Sequence, residues 1–241
     1  MLPLLIALQF LTRLPVRLPG MPEPAQLGRS LLWYPAVGLL LGLLLMAAQA
    51  LLGSVPVLLQ AALLLTLWVA LTGALHLDGL ADTADAWVGG FGDRERTLAI
   101  MKDPRSGPMA VSVLVLVLLL KFVALAALLE GGRGDLLVLA PWLARVLLPG
   151  LFRCTPYVRS GGLGQALADH LPGRLPVVLA LHGLALLLAF GAPGALAALL
   201  GGLVFLVWRR TLLARLGGTT GDTAGALVEL VECAVLVGLA C

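Results

Sequence analysis

Charge is scarce in this sequence. Only 12% of its 241 residues are Asp, Glu, Lys or Arg, and aromatic residues make up 5%. A water-soluble domain carries about 25% charged residues and about 45–50% apolar ones. Here 60% are hydrophobic, too much for the remaining polar surface to cover a soluble globule. A soluble enzyme and a disordered chain are therefore excluded. Cysteine is equally scarce. Cys154, Cys233 and Cys241 are odd in number and have no C-x-x-C spacing, so neither a disulfide scaffold nor a zinc site is supported. Alternating strands of about ten residues are missing too, which argues against a transmembrane barrel.

Long apolar runs are what the sequence has. They cover approximately 31–53, 56–75, 108–129, 136–152, 175–191, 193–208 and 224–241. Runs near 20 residues match the hydrocarbon thickness of a bilayer. Gly and Pro clusters such as Gly53-Ser54-Val55-Pro56 and Gly191-Ala192-Pro193 separate them. The run Leu2–Leu11 is too short to cross. No basic region precedes it, and Thr12-Arg13-Leu14-Pro15 follows in place of a cleavage site, so it reads as an interfacial helix and not a signal peptide.

The few charges are sorted. With seven crossings, residues 1–30, 76–107, 153–174 and 209–223 share one side. That side holds thirteen of the sixteen Lys and Arg residues, against Arg133 alone on the other; Lys121 and Arg145 fall inside stretches. Cytoplasmic loops collect Lys and Arg. The expectation is an all-α integral membrane protein of about seven transmembrane helices with a cytoplasmic N-terminus. It forms one polytopic domain over 1–241, with a short interfacial helix in front. The net charge of +3 follows from this sidedness and does not indicate a nucleic-acid partner.

The segment His76-Leu77-Asp78-Gly79-Leu80-Ala81-Asp82-Thr83-Ala84-Asp85 begins where the second stretch reaches the polar side. Asp78, Asp82 and Asp85 are offset by four and three, which places them on one helix face. Three carboxylates there repel one another unless a cation binds, and oxygen donors favour Mg²⁺, Mn²⁺ or Ca²⁺. Lys102 and Arg105 follow within 30 residues. A metal-competent face beside cations is what phosphoryl transfer needs. Asp222 leads into the last stretch, and Glu229 and Glu232 lie inside it, about 10 and 15 Å beyond Asp222. Carboxylates in hydrocarbon are expensive and by default functional, so both are expected to face a polar cavity. Arg145 is a candidate intramembrane partner or phosphate ligand. A cation-coupled transporter is the rival class. Its sites lie near the midplane, whereas the main acidic set here lies at one surface.

These residues resemble the cobalamin synthase, or adenosylcobinamide-GDP ribazoletransferase, family. His76–Asp85 matches its G-x-H-L-D-G-L-A-D-T-x-D signature. Met101-Lys102-Asp103 with Arg105 and Gly107 is similar to its M-[KR]-D-S-R-x-G segment. Gly218–Thr223 with Gly225-Ala226 and Glu229 is similar to G-G-x-T-G-D-T-x-G-A-x-x-E-L-x-E. Leu8–Pro15 and Tyr157-Val158-Arg159 with Gly162-Leu163-Gly164 also fit. Pro104, Pro108 and Ala86-Trp87 depart from the family pattern without removing a charged group.

The resemblance implies a Mg²⁺-dependent phosphotransferase of the cytoplasmic (inner) membrane, active at its cytoplasmic face, in cobalamin biosynthesis. Adenosylcobinamide-GDP and α-ribazole, or its 5′-phosphate, would give adenosylcobalamin, or its 5′-phosphate, and GMP. The expected metal ligands are Asp78, Asp82 and Asp85, with Asp222 and Glu229 at a second site. Lys102, Arg105, Arg145 and Arg159 are the expected phosphate contacts. Asp82 and Asp85 carry the reaction, with Asp85 or His76 as the base. Association into a homo-oligomer is left open.

Overall fold

The computed structural model describes every residue except Gly162, and Leu163 by its backbone alone. The Gly162 of the family resemblance therefore lies outside the described residues. The elements are α1 (Leu2–Leu11), α2 (Pro24–Ser30), α3 (Tyr34–Leu52), α4 (Val57–Thr72), α5 (Leu75–Gly89), α6 (Arg94–Ile100), α7 (Pro108–Glu130), α8 (Leu139–Cys154), α9 (Leu163–Asp169), α10 (Leu175–Leu216) and α11 (Gly221–Ala240). Short 3-10 turns precede α3 and α8. Among the described residues there is no strand, only an isolated parallel bridge between Tyr157 and Thr219. The protein is an all-α membrane protein.

Five continuous helical segments are long and apolar enough to cross a bilayer: Pro24–Leu52, Pro108–Glu130, Gly134–Cys154, Leu175–Leu216 and Gly221–Ala240. Two corrections bring this count into line with seven apolar stretches. First, α4 ends at Gly73, which adopts the left-handed conformation with φ +60°, and Ala74 follows at φ 57°. The chain then turns by 87° into α5, so α4 and α5 count together as one bent candidate span, the sixth.

Second, the 42 residues of α10 would extend about 63 Å if straight, twice the hydrocarbon thickness. They do not run straight. Gly191 has φ 53° and ψ −122°, a conformation that only glycine adopts readily. A Cβ built on Gly194 would lie 2.7 Å from the carbonyl oxygen of Leu186, eight residues earlier. Leu179 and Phe205 both approach Gly150, although a straight helix would hold them about 39 Å apart. The two halves, 175–190 and 192–216, therefore fold back as an antiparallel hairpin. Its second arm continues past the expected limit of 208 and carries Arg209, Arg210 and Arg215 in its last turns, where cations complement the helix dipole.

The central helices are α8 and α11, the most buried of the candidate spans. α11 packs against α5, α7, α8 and α10. It starts at Gly221, three residues before the expected 224, because Thr220 and Thr223 form a reciprocal capping box. That extra turn brings Asp222 onto the helix and up to α5.

Candidate active site

α5 and α11 meet through small residues. A Cβ on Gly79 would lie 2.7 Å from the Asp222 carbonyl oxygen, and Gly225 faces the backbone of His76. A side chain on Gly79 would hold the helices apart, so this glycine sets the distance between the α5 carboxylates and Asp222. A cavity of about 200 Å³ opens at this contact. His76, Asp78, Asp222 and Gly225 form one wall, and Phe10, Tyr34, Phe152 and Leu167 form the others.

Asp78 is exposed, and Asp82 and Asp222 are half-buried. Burial and the neighbouring carboxylates of Asp78 and Asp222 push the Asp82 pKa up to about 6. Arg159 opposes this. It stands in the loop before α9 and pairs with Asp222 at 2.6 Å. The Tyr157–Thr219 bridge ties that loop to the segment leading into α11: Val158 N donates to the Thr219 carbonyl at 3.0 Å, and Thr219 N donates to the Pro156 carbonyl at 2.8 Å. Asp78, Asp82, Asp222 and Arg159 are thus brought together from two helices and one pinned loop. The donors are hard oxygens in excess of the local positive charge, which suits a hard divalent cation. Among the described residues, no three His, Cys, Asp or Glu side chains converge closely enough to chelate an ion as they stand.

Other expected site residues lie elsewhere. Asp85 accepts hydrogen bonds from Gly107 N and from Ala110 N at 2.9 Å. It therefore caps the start of α7, which has no side-chain cap of its own. Both its oxygens accept from backbone, which the reading of Asp85 as a metal ligand or base did not foresee. Lys102 is exposed. Arg105 is almost fully exposed and pairs with Asp103 at 2.6 Å, which holds the Asp103 carboxyl down at about 2. The 101–107 loop that carries them borders the site at both ends: Thr220 Oγ1 donates to Met101 Sδ at 3.8 Å, and Gly107 meets Asp85.

Glu229, Glu232 and Arg145 form a different feature beneath the cavity. Lys121 Nζ donates to Glu229 at 2.8 Å and to Glu232 at 2.5 Å. Arg145 pairs with Glu232, and all four side chains are buried. The Arg145 guanidinium also lies 3.3 Å from His76 Nδ1, and Lys121 Nζ sits 4.5 Å over the Trp68 ring. Both carboxylates are thus met by buried cations, and Glu229 and Arg145 would reach a metal or a phosphate only by exchange of these pairings. Burying an ion costs several kcal/mol unless it is paired, and here two cations balance two anions. Lys121 is the participant that sidedness left without a role. Its signal was arithmetic: two cations inside the stretches for two carboxylates inside the last one.

Comparison with known proteins bears on this arrangement directly. The sequence profile of the cobalamin-5-phosphate synthase family matches residues 3–240. The chain belongs to that family.

Similar proteins include the adenosylcobinamide-GDP ribazoletransferase of Ectopseudomonas mendocina (strain ymp), 71% identical over 98% of this chain and 97% of the relative. The enzyme of that name from Pseudomonas aeruginosa PAO1 is also 71% identical, over 98% and 97%. That of Stutzerimonas stutzeri (strain A1501) is 69% identical over 100% and 98%. No solved structure matches the chain. The cobalamin-5-phosphate synthase match spans every element that builds the cavity, from α1 to α11.

Proposed function

We propose that this membrane enzyme transfers the cobinamide-phosphate group of adenosylcobinamide-GDP to α-ribazole, or its 5′-phosphate, with release of GMP. The observation that carries the reading is the gathering of Asp78, Asp82 and Asp222 beside Arg159 at the mouth of one cavity, in a chain of this family. Asp78, Asp82 and Asp222 would hold Mg²⁺. The ion's chemistry there would be to neutralise the pyrophosphate oxygens and the charge on the leaving phosphate.

The chain's own residues do the rest. Arg159 is on the rim to contact a phosphate oxygen once its pairing with Asp222 is exchanged. Asp82, through an oxygen not engaged by the metal, accepts the proton of the ribazole hydroxyl. His76 lines the cavity and is the second candidate, its Nδ1 turned to Arg145. Phe10, Tyr34 and Phe152 exclude water from the inner wall. Lys102 and Arg105 serve on the exposed loop as outer attractors for the anionic substrate. The gathering of Lys and Arg on one side supports a cytoplasmic placement of this face, and the reaction itself supports the inner membrane as its location.

The test is GMP release by purified protein in detergent, with both substrates and Mg²⁺. Release that depends on both substrates and on Mg²⁺ is the expected result. No GMP under these conditions overturns the reading. A transporter would need a sealed compartment, which detergent removes.

A further inference from the structure

A second cavity adjoins the first. It has a volume of about 390 Å³ and lies between α1, the loop that follows it, α2 and the start of α3. Phe10, Tyr34 and Leu167 line both cavities. Phe10 and Tyr34 stack with ring centroids 6.3 Å apart and planes 22° from parallel, and this pair borders both chambers.

The chemistry of the second chamber differs from that of the first. No charged side chain lines it, and its only amide or aliphatic hydroxyl groups are those of Gln9 and Ser30. The Ser30 hydroxyl is spent on the Leu27 carbonyl at 2.6 Å. A phosphate would find no cation here. Guanine would leave several ring-edge donors and acceptors unpaired, each at a cost of about 1–3 kcal/mol. A flat, largely apolar bicycle with a single acceptor nitrogen loses far less of this kind, and aromatic walls favour it by offset stacking.

The two substrates of the proposed reaction divide along the same line. Adenosylcobinamide-GDP carries charge, amides and guanine. α-Ribazole carries a dimethylbenzimidazole, apolar apart from one acceptor nitrogen, on a polar ribose. Resting on that reaction, we infer that the second cavity takes the benzimidazole of α-ribazole. Its ribose then passes the Phe10–Tyr34 pair and presents a hydroxyl between Asp78 and Asp222. Leu18 and Leu27, which line only this chamber, are thereby specificity-determining residues for the lower base.

The test uses the full chain in detergent and reads KM for each substrate separately. Leu27→Trp fills the chamber from α2, and Leu18→Trp fills it from the surface loop, where a packing failure does not unfold a helix. Either variant is expected to raise KM for α-ribazole by about tenfold or more, the scale of excluding a few carbons from an apolar pocket. KM for adenosylcobinamide-GDP stays unchanged. The preference for α-ribazole over the analogue lacking both ring methyls also falls, which general damage to the protein would not produce. Unchanged KM values and preference in both variants overturn the inference. A rise confined to adenosylcobinamide-GDP assigns it to the other substrate and also overturns it. Failure of the wild-type protein to release GMP overturns the reaction itself, a result distinct from either.

Discussion

Asp82 is the residue on which the proposed chemistry turns, because it is the carboxylate crowded by the most others. Asp82→Asn is expected to leave membrane insertion intact and to lower turnover by about 100-fold or more, the upper scale of acid–base and metal contributions. Wild-type rates of GMP release from the variant would remove Asp82 from the mechanism. Its pKa makes a second, chemistry-free prediction. Asp82 ordinarily titrates at 3.8 and here at about 6, so the folded protein binds its proton more tightly than the unfolded chain does. The resulting stability is fully present below pH 4 and is lost as pH rises through about 6. In chelator, the thermal midpoint should fall over that window more in wild type than in Asp82→Asn. Parallel curves for the two proteins would contradict the assignment. Asp85, on the same helix face, behaves differently. If it is a cap for α7, Asp85→Asn keeps an acceptor and most activity, whereas Asp85→Ala costs about 1–2 kcal/mol of stability. Loss of turnover in Asp85→Asn at unchanged stability would restore it to the reaction.

Elements were legible in the sequence to the extent that they depend on local signals. The offsets of four and three placed Asp78, Asp82 and Asp85 on one helix, and that helix forms. What the offsets could not supply was the partner each carboxylate meets. Asp82 faces Asp222 across the Gly79 contact, while Asp85 faces the start of α7, and only the packing of three helices decides between these. The same holds for Glu229 and Glu232. Burial cost marked them as functional, but their partners come from α7 and α8, more than 80 residues away. The four-charge network joins α7, α8 and α11, with α5 attached through His76. Removing one member leaves an unpaired ion in an apolar interior. Arg145→Met or Glu232→Met alone should therefore destabilise by about 3–5 kcal/mol. The double variant, which leaves Lys121 and Glu229 still paired, should cost less than the sum of the singles. Unfolding midpoints in detergent provide the measurement, and strict additivity would mean that the pair is not coupled.

At the scale of the whole molecule, the distribution of charge predicts topology. Residues 174 and 217 lie at the two ends of one hairpin and so on one side, with the Gly191 turn on the other. A single cysteine placed as Ala192→Cys, in a chain otherwise without cysteine, should react with an impermeant thiol reagent from the periplasmic face only. One placed as Ala214→Cys, exposed near the end of α10, should react only after the membrane is opened. The opposite pattern would invert the orientation drawn from the Lys and Arg count. Seven apolar stretches were readable because hydropathy and turn residues are local properties. The break at Gly191-Ala192-Pro193 was readable too; the tightness of the turn was not, because it rests on one backbone conformation at Gly191.

That reversal also bears on how the protein is made. Two arms joined by a turn this tight can leave the insertion machinery as a pair, with Leu186 already against Gly194. No polar loop has to be carried across between them. The Arg-rich end of the second arm then never travels through the bilayer alone. It emerges on the side where the first arm began, and synthesis proceeds directly to Asp222 and the last helix of the site.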